Sequence, residues 1–208
     1  MIKAVIFDYG GVIKTLKHNK DRDADALYEA RDAAVLYGIS KKMIIKKWRP
    51  LVKLLQKGVI TENYFWRDLS SSLKKPIPKN KKQLWRKSYR KTFYIIPEII
   101  SFIRKLRTDG IKTAVLSNTI KPHVEIITKY NGYKYFDAVV LSCRVNLMKP
   151  DQKIYLLTTK QLRVKPKECI FIDDREENLK PARKLGMKTV LAKSPRQVIK
   201  SVSQLLIT

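Results

Sequence analysis

The feature that most constrains the fold is a regular alternation of strand-like and helix-like segments, which begins near residue 95 and continues to the last residues of the sequence. Short apolar runs without alternation indicate strands that are buried on both faces, and the segments between them have helical periodicity. Strands joined by helices of this length require a parallel sheet with right-handed crossovers. The predicted strands are residues 112–116, 138–141, 168–172 and 188–191, and the predicted helices are residues 97–107, 121–130, 151–162, 176–185 and 195–205.

A further strand is predicted near the N-terminus, where the apolar run from Ala4 to Phe7 ends at Asp8 and is soon followed by two glycines. After a polar loop over residues 14–20, only helical patterns are found, over residues 23–37, 41–48, 51–56, 62–73 and 79–92, with Pro50 expected to end the second helix. The sequence therefore predicts an α/β fold, a doubly wound parallel sheet with a helical subdomain inserted after the first strand. The predicted division is a core of residues 1–14 and 96–208 and an insertion of residues 15–95.

Polar side chains follow several of the predicted strands. The clusters are Asp8, Ser117 with Asn118, Lys149, and Asp173 with Asp174. Because strand ends of one polarity lie on one edge of a parallel sheet, we expect these groups to converge in one crevice. Crowded acids raise one another's pKa unless a cation lies among them, and an all-oxygen ligand set suits Mg²⁺.

The same clusters contain the groups that phosphoryl transfer needs. Ser117 and Lys149 offer a hydroxyl donor and a positive charge to phosphate oxygens. Asp8 is a candidate nucleophile, because carboxylates can form aspartyl-phosphate intermediates. Taken singly, each cluster is also compatible with a turn or a helix cap, and only their joint occurrence at one edge indicates a site.

Four segments match, in order, the signature motifs of a known family: residues 7–12, residues 116–118, residues 148–151 with 154–155, and residues 171–178. On these motifs the whole chain resembles the haloacid dehalogenase (HAD)-like hydrolase superfamily. Residues 57–61, with Phe65 and Trp66, resemble the helical cap of its glucose-phosphatase-like and epoxide-hydrolase-N-domain-like branch. The resemblance implies a Rossmann-like core with an all-helical cap subdomain. It also implies a Mg²⁺-dependent phosphatase that acts on a small phosphorylated metabolite, such as a sugar phosphate.

The resemblance also implies roles for individual residues. Asp8 would attack the phosphorus atom and bind Mg²⁺, and the backbone carbonyl of Gly10 would be a second metal ligand. Ser117 would hold the transferring phosphoryl group with Asn118 nearby, and Lys149 would neutralise charge on Asp8 and on the phosphate.

Three further residues are implied directly after the predicted strand over residues 168–172 and in the helix that follows it. Asp174, together with Asp173, would complete the metal site. Asn178 would support that site without contacting the metal.

Gly10 departs from the family pattern, because most phosphatases of the superfamily carry a second Asp there as general acid and base. The absence of this second Asp would fit a slow enzyme, a substrate with a good leaving group such as a sugar 1-phosphate or acyl phosphate, or a surrogate acid. His18 and Tyr9 are the candidate surrogates, although a lone His in a polar loop is more often simply solvated. The glucose-phosphatase-like branch also tends to carry Gly at this position.

The charge of the chain is unusual, with 45 Lys and Arg against 18 Asp and Glu and a net charge of +27. Such a surface attracts phosphorylated metabolites and, non-specifically, polyanions, or serves solubility alone.

Cys143 and Cys169 are too few for a disulfide framework, and no apolar run is long enough to span a bilayer. We therefore expect a soluble cytoplasmic protein without membrane contact, and the oligomeric state stays open.

Two alternative functions remain at this point. The first is 2-haloacid dehalogenation, in which the same Asp8 displaces halide without a metal. The second is a catalytically weak or silenced HAD fold that binds nucleic acid through its basic surface.

Trp48, Trp66 and Trp85, which lie on the predicted cap helices, are expected to form the core of the cap.

Overall fold

The structure of the protein is a computed structural model that describes residues 1–15 and 24–207. Part of the predicted polar loop, the predicted start of the first helix at Asp23 and the candidate acid His18 lie outside the described residues. The described strands are β1 (Ala4–Phe7), β2 (Lys14–Thr15), β3 (Tyr94–Ile95), β4 (Lys112–Ser117), β5 (Ala138–Leu141), β6 (Cys169–Asp173) and β7 (Lys188–Leu191).

Five of these strands form one parallel sheet in the order β5-β4-β1-β6-β7. The chain therefore builds outward from β1 on one side through β4 and β5, and then returns to the other side through β6 and β7. This arrangement confirms the predicted doubly wound, Rossmann-like α/β fold. It also makes the carboxyl end of β1 the topological switch point, where ligands bind in open α/β sheets.

The described helices follow the predicted ones in order, with two additions and one correction. They are α1 (Ala24–Tyr37), α2 (Lys41–Gln56), α3 (Glu62–Leu73), α4 (Lys81–Thr92), α5 (Pro97–Thr108), α6 (Lys121–Lys129), α7 (Ser142–Val145), α8 (Gln152–Leu162), α9 (Glu176–Lys184) and α10 (Pro195–Ile207). The additions are the short helix α7 and a 3₁₀ turn over Pro166–Glu168. Neither is long enough to show helical periodicity in the sequence.

The correction concerns helix α2, which continues through Pro50 to Gln56 and so joins the two separate helices predicted over residues 41–48 and 51–56. Proline removes one backbone hydrogen bond and strains the turn before it, which costs about 3 kcal/mol in a helix interior. Five residues on one face of α2 are buried, on both sides of the proline: Ile44, Trp48, Leu51, Val52 and Leu55. Burial of this continuous apolar face offsets the local cost, since each such side chain contributes about 1.5–3 kcal/mol.

Helices cover both faces of the sheet. On one face, Val5 and Phe7 of β1 pack in an apolar cluster with residues of α5, α6 and α10. On the other face, Ala4 and Ile6 pack with residues of α8 and α9. The alternation of β1 side chains between two apolar clusters explains why the run from Ala4 to Phe7 is entirely apolar.

Helices α1 to α4, which we call the helical part, surround an apolar cluster of their own. The rings of Trp48, Trp66 and Trp85 lie within this cluster together with Phe65. The burial of all three tryptophans confirms that they are core residues of the helical part. The region is not purely helical, because β2 and β3 form an antiparallel ribbon at its two ends. Two-residue strands carry no detectable alternation, so the sequence could not reveal them. The predicted boundaries at residues 14/15 and 95/96 stay a prediction.

The helical part contacts the sheet region through α6, the helix that follows β4. His123 of α6 pairs with the buried Glu29 of α1, and its ring stacks on Tyr89 of α4 with 3.9 Å between ring centroids. Arg86 of α4 forms a 2.5 Å ion pair with Glu125 of α6. These contacts place the helices beside the carboxyl edge of the sheet. Among the described helices, none has the length and apolar character needed to cross a membrane.

Candidate active site

The predicted crevice lies at the topological switch point. Asp8 directly follows β1, Ser117 is the last residue of β4, and Asp173 is the last residue of β6. Because β1 lies between β4 and β6 in the parallel sheet, the carboxyl ends of these three strands lie side by side and bring the residues to the same edge. All three residues are buried, as is Lys149, which follows α7.

Lys149 is the centre of this group. Its Nζ atom lies 2.9 Å from Oδ1 of Asp8 and 2.7 Å from Oδ2 of Asp173. Only 1% of its side chain is exposed, so the ammonium group is almost completely shielded from water. A buried ammonium group between two carboxylates from different strands indicates a site built around charge, because buried charges are costly unless they are paired.

The charges in this crevice shift one another's pKa values. Burial raises the pKa of Asp8 to about 7, against the lowering effect of Lys149 and with a further increase from Asp173 and Asp174. Burial, followed by the charge of Asp173, also raises the pKa of Asp174. For Lys149, burial lowers the pKa, but the two carboxylates more than offset this effect and the net shift is upward. The site therefore holds more negative charge than one lysine neutralises.

Asp173 is fixed by the first turn of α9 and by Lys149. The Nδ2 atom of Asn178 donates to both carboxylate oxygens of Asp173 at 3.0 Å, and the backbone N–H of Arg175 donates to Oδ1 at 2.9 Å. Asn178 is held in turn, because the hydroxyl of Tyr155 on α8 donates to its backbone carbonyl at 2.7 Å. Asp173 is thus a rigid acceptor for Lys149.

Asn118 locks the loop that carries Lys149. Its Nδ2 atom donates to the backbone carbonyl of Lys149 at 2.9 Å, and its Oδ1 atom accepts from the backbone N–H of Lys149 at 2.9 Å. The family resemblance places Asn118 close to the phosphoryl group but does not reveal this reciprocal pair. The two residues are 31 positions apart, so no local sequence pattern indicates this pair of hydrogen bonds.

Gly11 makes room for the carboxylate of Asp174. The backbone of Gly11 has φ = +76°, and a Cβ atom built there would lie 2.6 Å from Cγ of Asp174. Glycine is favoured at this position for two reasons, the positive φ and the close approach of the acid. The paired glycines of the first motif therefore include one that admits a site residue.

We expect Gly11→Ala to destabilise the protein more than Gly110→Ala. Both glycines have a positive φ, +76° and +78°, but a Cβ at Gly110 meets nothing within 4 Å. The two variants share the backbone penalty of roughly 1–2 kcal/mol, and only Gly11→Ala displaces Asp174. The Tm of Gly11→Ala, measured by circular dichroism, should therefore lie at least about 3 °C below that of Gly110→Ala. Equal Tm values would contradict this role of Gly11.

The acids fit a divalent cation. Carboxylate oxygens of Asp8, Asp173 and Asp174 lie within 4.8 Å of one another. The described contacts of Asp8, from the backbone N–H of Tyr9 at 2.7 Å and from Lys149, both use Oδ1, so Oδ2 remains for a further ligand. An all-oxygen donor set with raised carboxylate pKa values is the chemistry that Mg²⁺ suits.

Two neighbouring residues concern the general acid that most phosphatases of the superfamily carry at the position of Gly10. Gly10 is the position itself, and Tyr9 is a candidate surrogate acid. A Cβ atom at Gly10 would meet no heavy atom within 4 Å, so the first atom of a side chain fits there without a clash. The hydroxyl of Tyr9 lies beside Gly132, and its ring packs against Tyr133 with 5.6 Å between centroids. Burial raises the pKa of Tyr9 well above its usual value, which makes the phenol a poor proton donor near neutral pH.

The chain is similar in sequence to known proteins. The chain is 29% identical over 212 residues to "Acyl-CoA dehydrogenase family member 10" of Mus musculus, covering 98% of this chain but only 19% of that protein. It is 24% identical over 193 residues to the phosphorylated carbohydrates phosphatase of Thermotoga maritima, covering 91% of this chain and 84% of that protein.

Similarity extends to solved structures and to a family model. A HAD family enzyme from Bacteroides thetaiotaomicron, solved as a magnesium complex, superposes with a TM-score of 0.75 at 25% identity, covering 92% of this chain and 93% of that one. A family model described as haloacid dehalogenase-like hydrolase matches residues 2–186. With the strand order, the acid cluster and the four motifs in place, the chain belongs to the haloacid dehalogenase-like hydrolase family.

Proposed function

We propose that the protein is a Mg²⁺-dependent phosphatase that hydrolyses a small phosphorylated metabolite through an aspartyl-phosphate on Asp8. The observation that carries this proposal is the buried Lys149, which bridges Asp8 and Asp173 at the switch point beside Asp174. A phosphate monoester brings further negative charge to this place, and both a lysine and a divalent cation stabilise such charge.

In the first step, a carboxylate oxygen of Asp8 forms a bond to phosphorus while the bond from phosphorus to the leaving oxygen breaks. Lys149 balances the charge on Asp8 and on the phosphate, and the hydroxyl of Ser117 donates to a phosphoryl oxygen. In the second step, water attacks phosphorus and releases inorganic phosphate and the free carboxylate of Asp8. Positioning and charge stabilisation provide most of the rate acceleration in this kind of transfer.

Mg²⁺, when bound, neutralises charge that the phosphate and the acids share. We propose that Asp8, Asp174 and the backbone carbonyl of Gly10 hold it. Asp173 was also predicted as a metal ligand, but its oxygens already accept from Lys149, Asn178 and the backbone of Arg175. We therefore propose that Asp173 mainly orients Lys149, and that Asn178 keeps Asp173 in place.

Residues 15–95 are proposed to act as the cap that selects the substrate. The support for this role is that their helices have their own apolar cluster and contact α6 and α7 beside the site. The name of the Thermotoga maritima relative supports phosphorylated carbohydrates as the substrate class. Because the position of the second acid is Gly10, we favour substrates with good leaving groups, such as sugar 1-phosphates or acyl phosphates.

Placing an aspartate at position 10, where most phosphatases of the superfamily have their general acid, should change how kcat/KM depends on the leaving group. Gly10→Asp is expected to raise kcat/KM for alkyl phosphates by about 10²-fold, because general acid catalysis contributes most when the leaving group is poor. An aryl phosphate should gain little. Gly10→Asn is the matched control, since it has the same size but cannot transfer a proton. Steady-state phosphate release on both substrate types would measure the effect, and an equal gain in both variants would contradict the explanation.

The proposal is tested by phosphate release from an aryl phosphate and from a panel of sugar, nucleotide and acyl phosphates, with Mg²⁺ or with EDTA. We expect turnover that requires Mg²⁺ and that is highest on one class of small phosphorylated metabolite. No turnover on any phosphate by a correctly folded, Mg²⁺-binding protein would overturn the proposal. Metal-independent halide release from a 2-haloacid would instead support the dehalogenase alternative.

A further inference from the structure

One surface of the helical part is basic and is not needed by the phosphatase proposal. On helix α2 and its C-cap, five cationic residues follow one another at steps of three or four positions, and all are exposed: Lys42, Lys46, Arg49, Lys53 and Lys57. Residues spaced in this way lie on one face of a helix. We call these five residues the α2 stripe.

The stripe lies opposite the face of α2 that is buried in the cap. The buried positions, including Ile44, Trp48 and Leu55, pack in the apolar cluster of the helical part. The cations therefore point to solvent along most of the helix. At a rise of 1.5 Å per residue, the fifteen steps from Lys42 to Lys57 extend over about 22 Å.

The sequence segment that carries the stripe contains no acidic residue. Residues 41–57 contain seven Lys and Arg and no Asp or Glu, and residues 74–91 contain nine and none. The four lysines of the stripe make no ion pair within the described part of the chain. Other described cations do pair with acids, as Lys105 does with Asp109 and, on α4, Arg86 with Glu125.

This distribution is unfavourable for the helix itself. Like charges three or four positions apart destabilise a helix by a few tenths of a kcal/mol per pair, whereas alternating Glu and Lys would stabilise it. A polyanion relieves that repulsion and gains free energy from the counterions that both surfaces release. We propose that the α2 stripe binds the phosphate backbone of double-stranded nucleic acid without reading its base sequence.

The length of the stripe suits one strand of a duplex. Phosphates of one strand are spaced about 3.4 Å apart along the duplex axis, so 22 Å covers roughly six of them. Single strands are bound on exposed aromatic side chains, and the aromatic side chain of α2, Trp48, is buried. Membrane-surface helices insert an apolar face, and the apolar face of α2 is already buried in the cap.

The test compares two triple variants of the full chain that lose the same charge. Lys42, Lys46 and Lys53 are replaced by Gln in one variant, and the exposed Lys160, Lys180 and Lys200 of the sheet region in the other. Binding of a random-sequence 20-base-pair DNA duplex is measured by fluorescence anisotropy from 0.05 to 0.3 M salt, with an RNA duplex as a second arm. The two arms show which kind of duplex backbone the stripe prefers.

We expect wild type to bind, with log K falling linearly as log salt rises. For the DNA duplex, replacement of three contacting lysines should reduce the magnitude of that slope by about 2.7 and weaken binding at 0.1 M salt more than about tenfold. The control variant should change the slope by less than about 1. The circular dichroism spectrum and the Tm should be close to wild type in both variants, which shows that both are folded.

Three outcomes would overturn the proposal. Equal losses in the two variants would mean that the net charge of +27 attracts DNA diffusely. No binding by wild type at 0.1 M salt would mean that the stripe is only a solvated face. Tighter, stripe-dependent binding to vesicles of 30% phosphatidylserine than to either duplex would assign the surface to a membrane. None of these outcomes bears on phosphatase activity, which the panel of phosphates tests separately.

Discussion

Asp8→Asn is expected to reduce kcat for phosphate release by more than about 10⁴-fold, to the background rate. The amide has the same shape as the carboxylate but cannot attack phosphorus. It also removes one negative oxygen from the cluster proposed to hold Mg²⁺. We expect the variant to fold, because burial, followed by the charges of Asp173 and Asp174, raises the pKa of Asp8 to about 7, and a neutral amide avoids both costs.

Asp109→Asn is the matched control, since Asp109 is an exposed aspartate at the end of α5. The measurement is phosphate release from the best substrate of the panel at saturating Mg²⁺, with Tm recorded for each protein. Retention of more than about 1% of wild-type kcat by Asp8→Asn would show that another group is the nucleophile. The acid-quenched wild-type enzyme should also retain labelled phosphate on Asp8, and the variant should not.

Lys149→Met is expected to lower both activity and stability. Without the ammonium group, Asp8 and Asp173 face each other with no cation between them, and breaking such a buried pair costs about 3–5 kcal/mol. For a chain of 208 residues this corresponds to a fall in Tm of roughly 10 °C in EDTA at pH 8. The kcat should fall at least about 10³-fold, because the charge of the transition state is no longer balanced.

The loss of stability in Lys149→Met should depend on pH. The pKa of Asp8 in the folded protein is raised to about 7 from an ordinary value of 3.8, so its contribution to stability is fully present below pH 4 and is lost as pH rises through 7. Lys149 lowers this pKa, and removing it raises the pKa further. The difference in Tm between wild type and variant should therefore be smaller at pH 5 than at pH 8.

The control for this comparison is Lys160→Met, at an exposed lysine of α8. Its Tm should follow wild type at both pH values. Thermal unfolding in EDTA at pH 5 and pH 8 measures all three proteins. An equal loss of Tm at both pH values would mean that Lys149 contributes packing and not charge balance.

The sequence could predict the sheet because its strands are apolar throughout and are separated by helices of regular length. Boundaries of β5 and β7 agree with the expected ranges, and those of β4 and β6 differ by one residue. Local rules failed where packing dominates or where an element is too short for a pattern. Helix α2 continues through Pro50 because one apolar face is buried on both sides of it, and β2, β3 and α7 have four residues or fewer.

The candidate site was predictable to the level of which groups meet. Asp8 and the Asp173–Asp174 pair lie at the carboxyl ends of β1 and β6, and Lys149 lies in the connection after β5, so a parallel sheet brings them to one edge. The locking of Lys149 by Asn118 and the contact of Gly11 with Asp174 were not predictable. Both depend on distances between residues that are far apart in the sequence.

The sequence by itself determined the kinds of chemical group at the strand ends, the order of the four motifs and the basic character of residues 41–57 and 74–91. Only the tertiary structure decided how these groups act on one another. It shields Lys149 from water between two acids, raises the pKa of Asp8 to about 7, and leaves space beside Gly10. The physical reason is that pKa values, charge pairing and free space depend on burial and on distances in three dimensions, which a linear pattern does not contain.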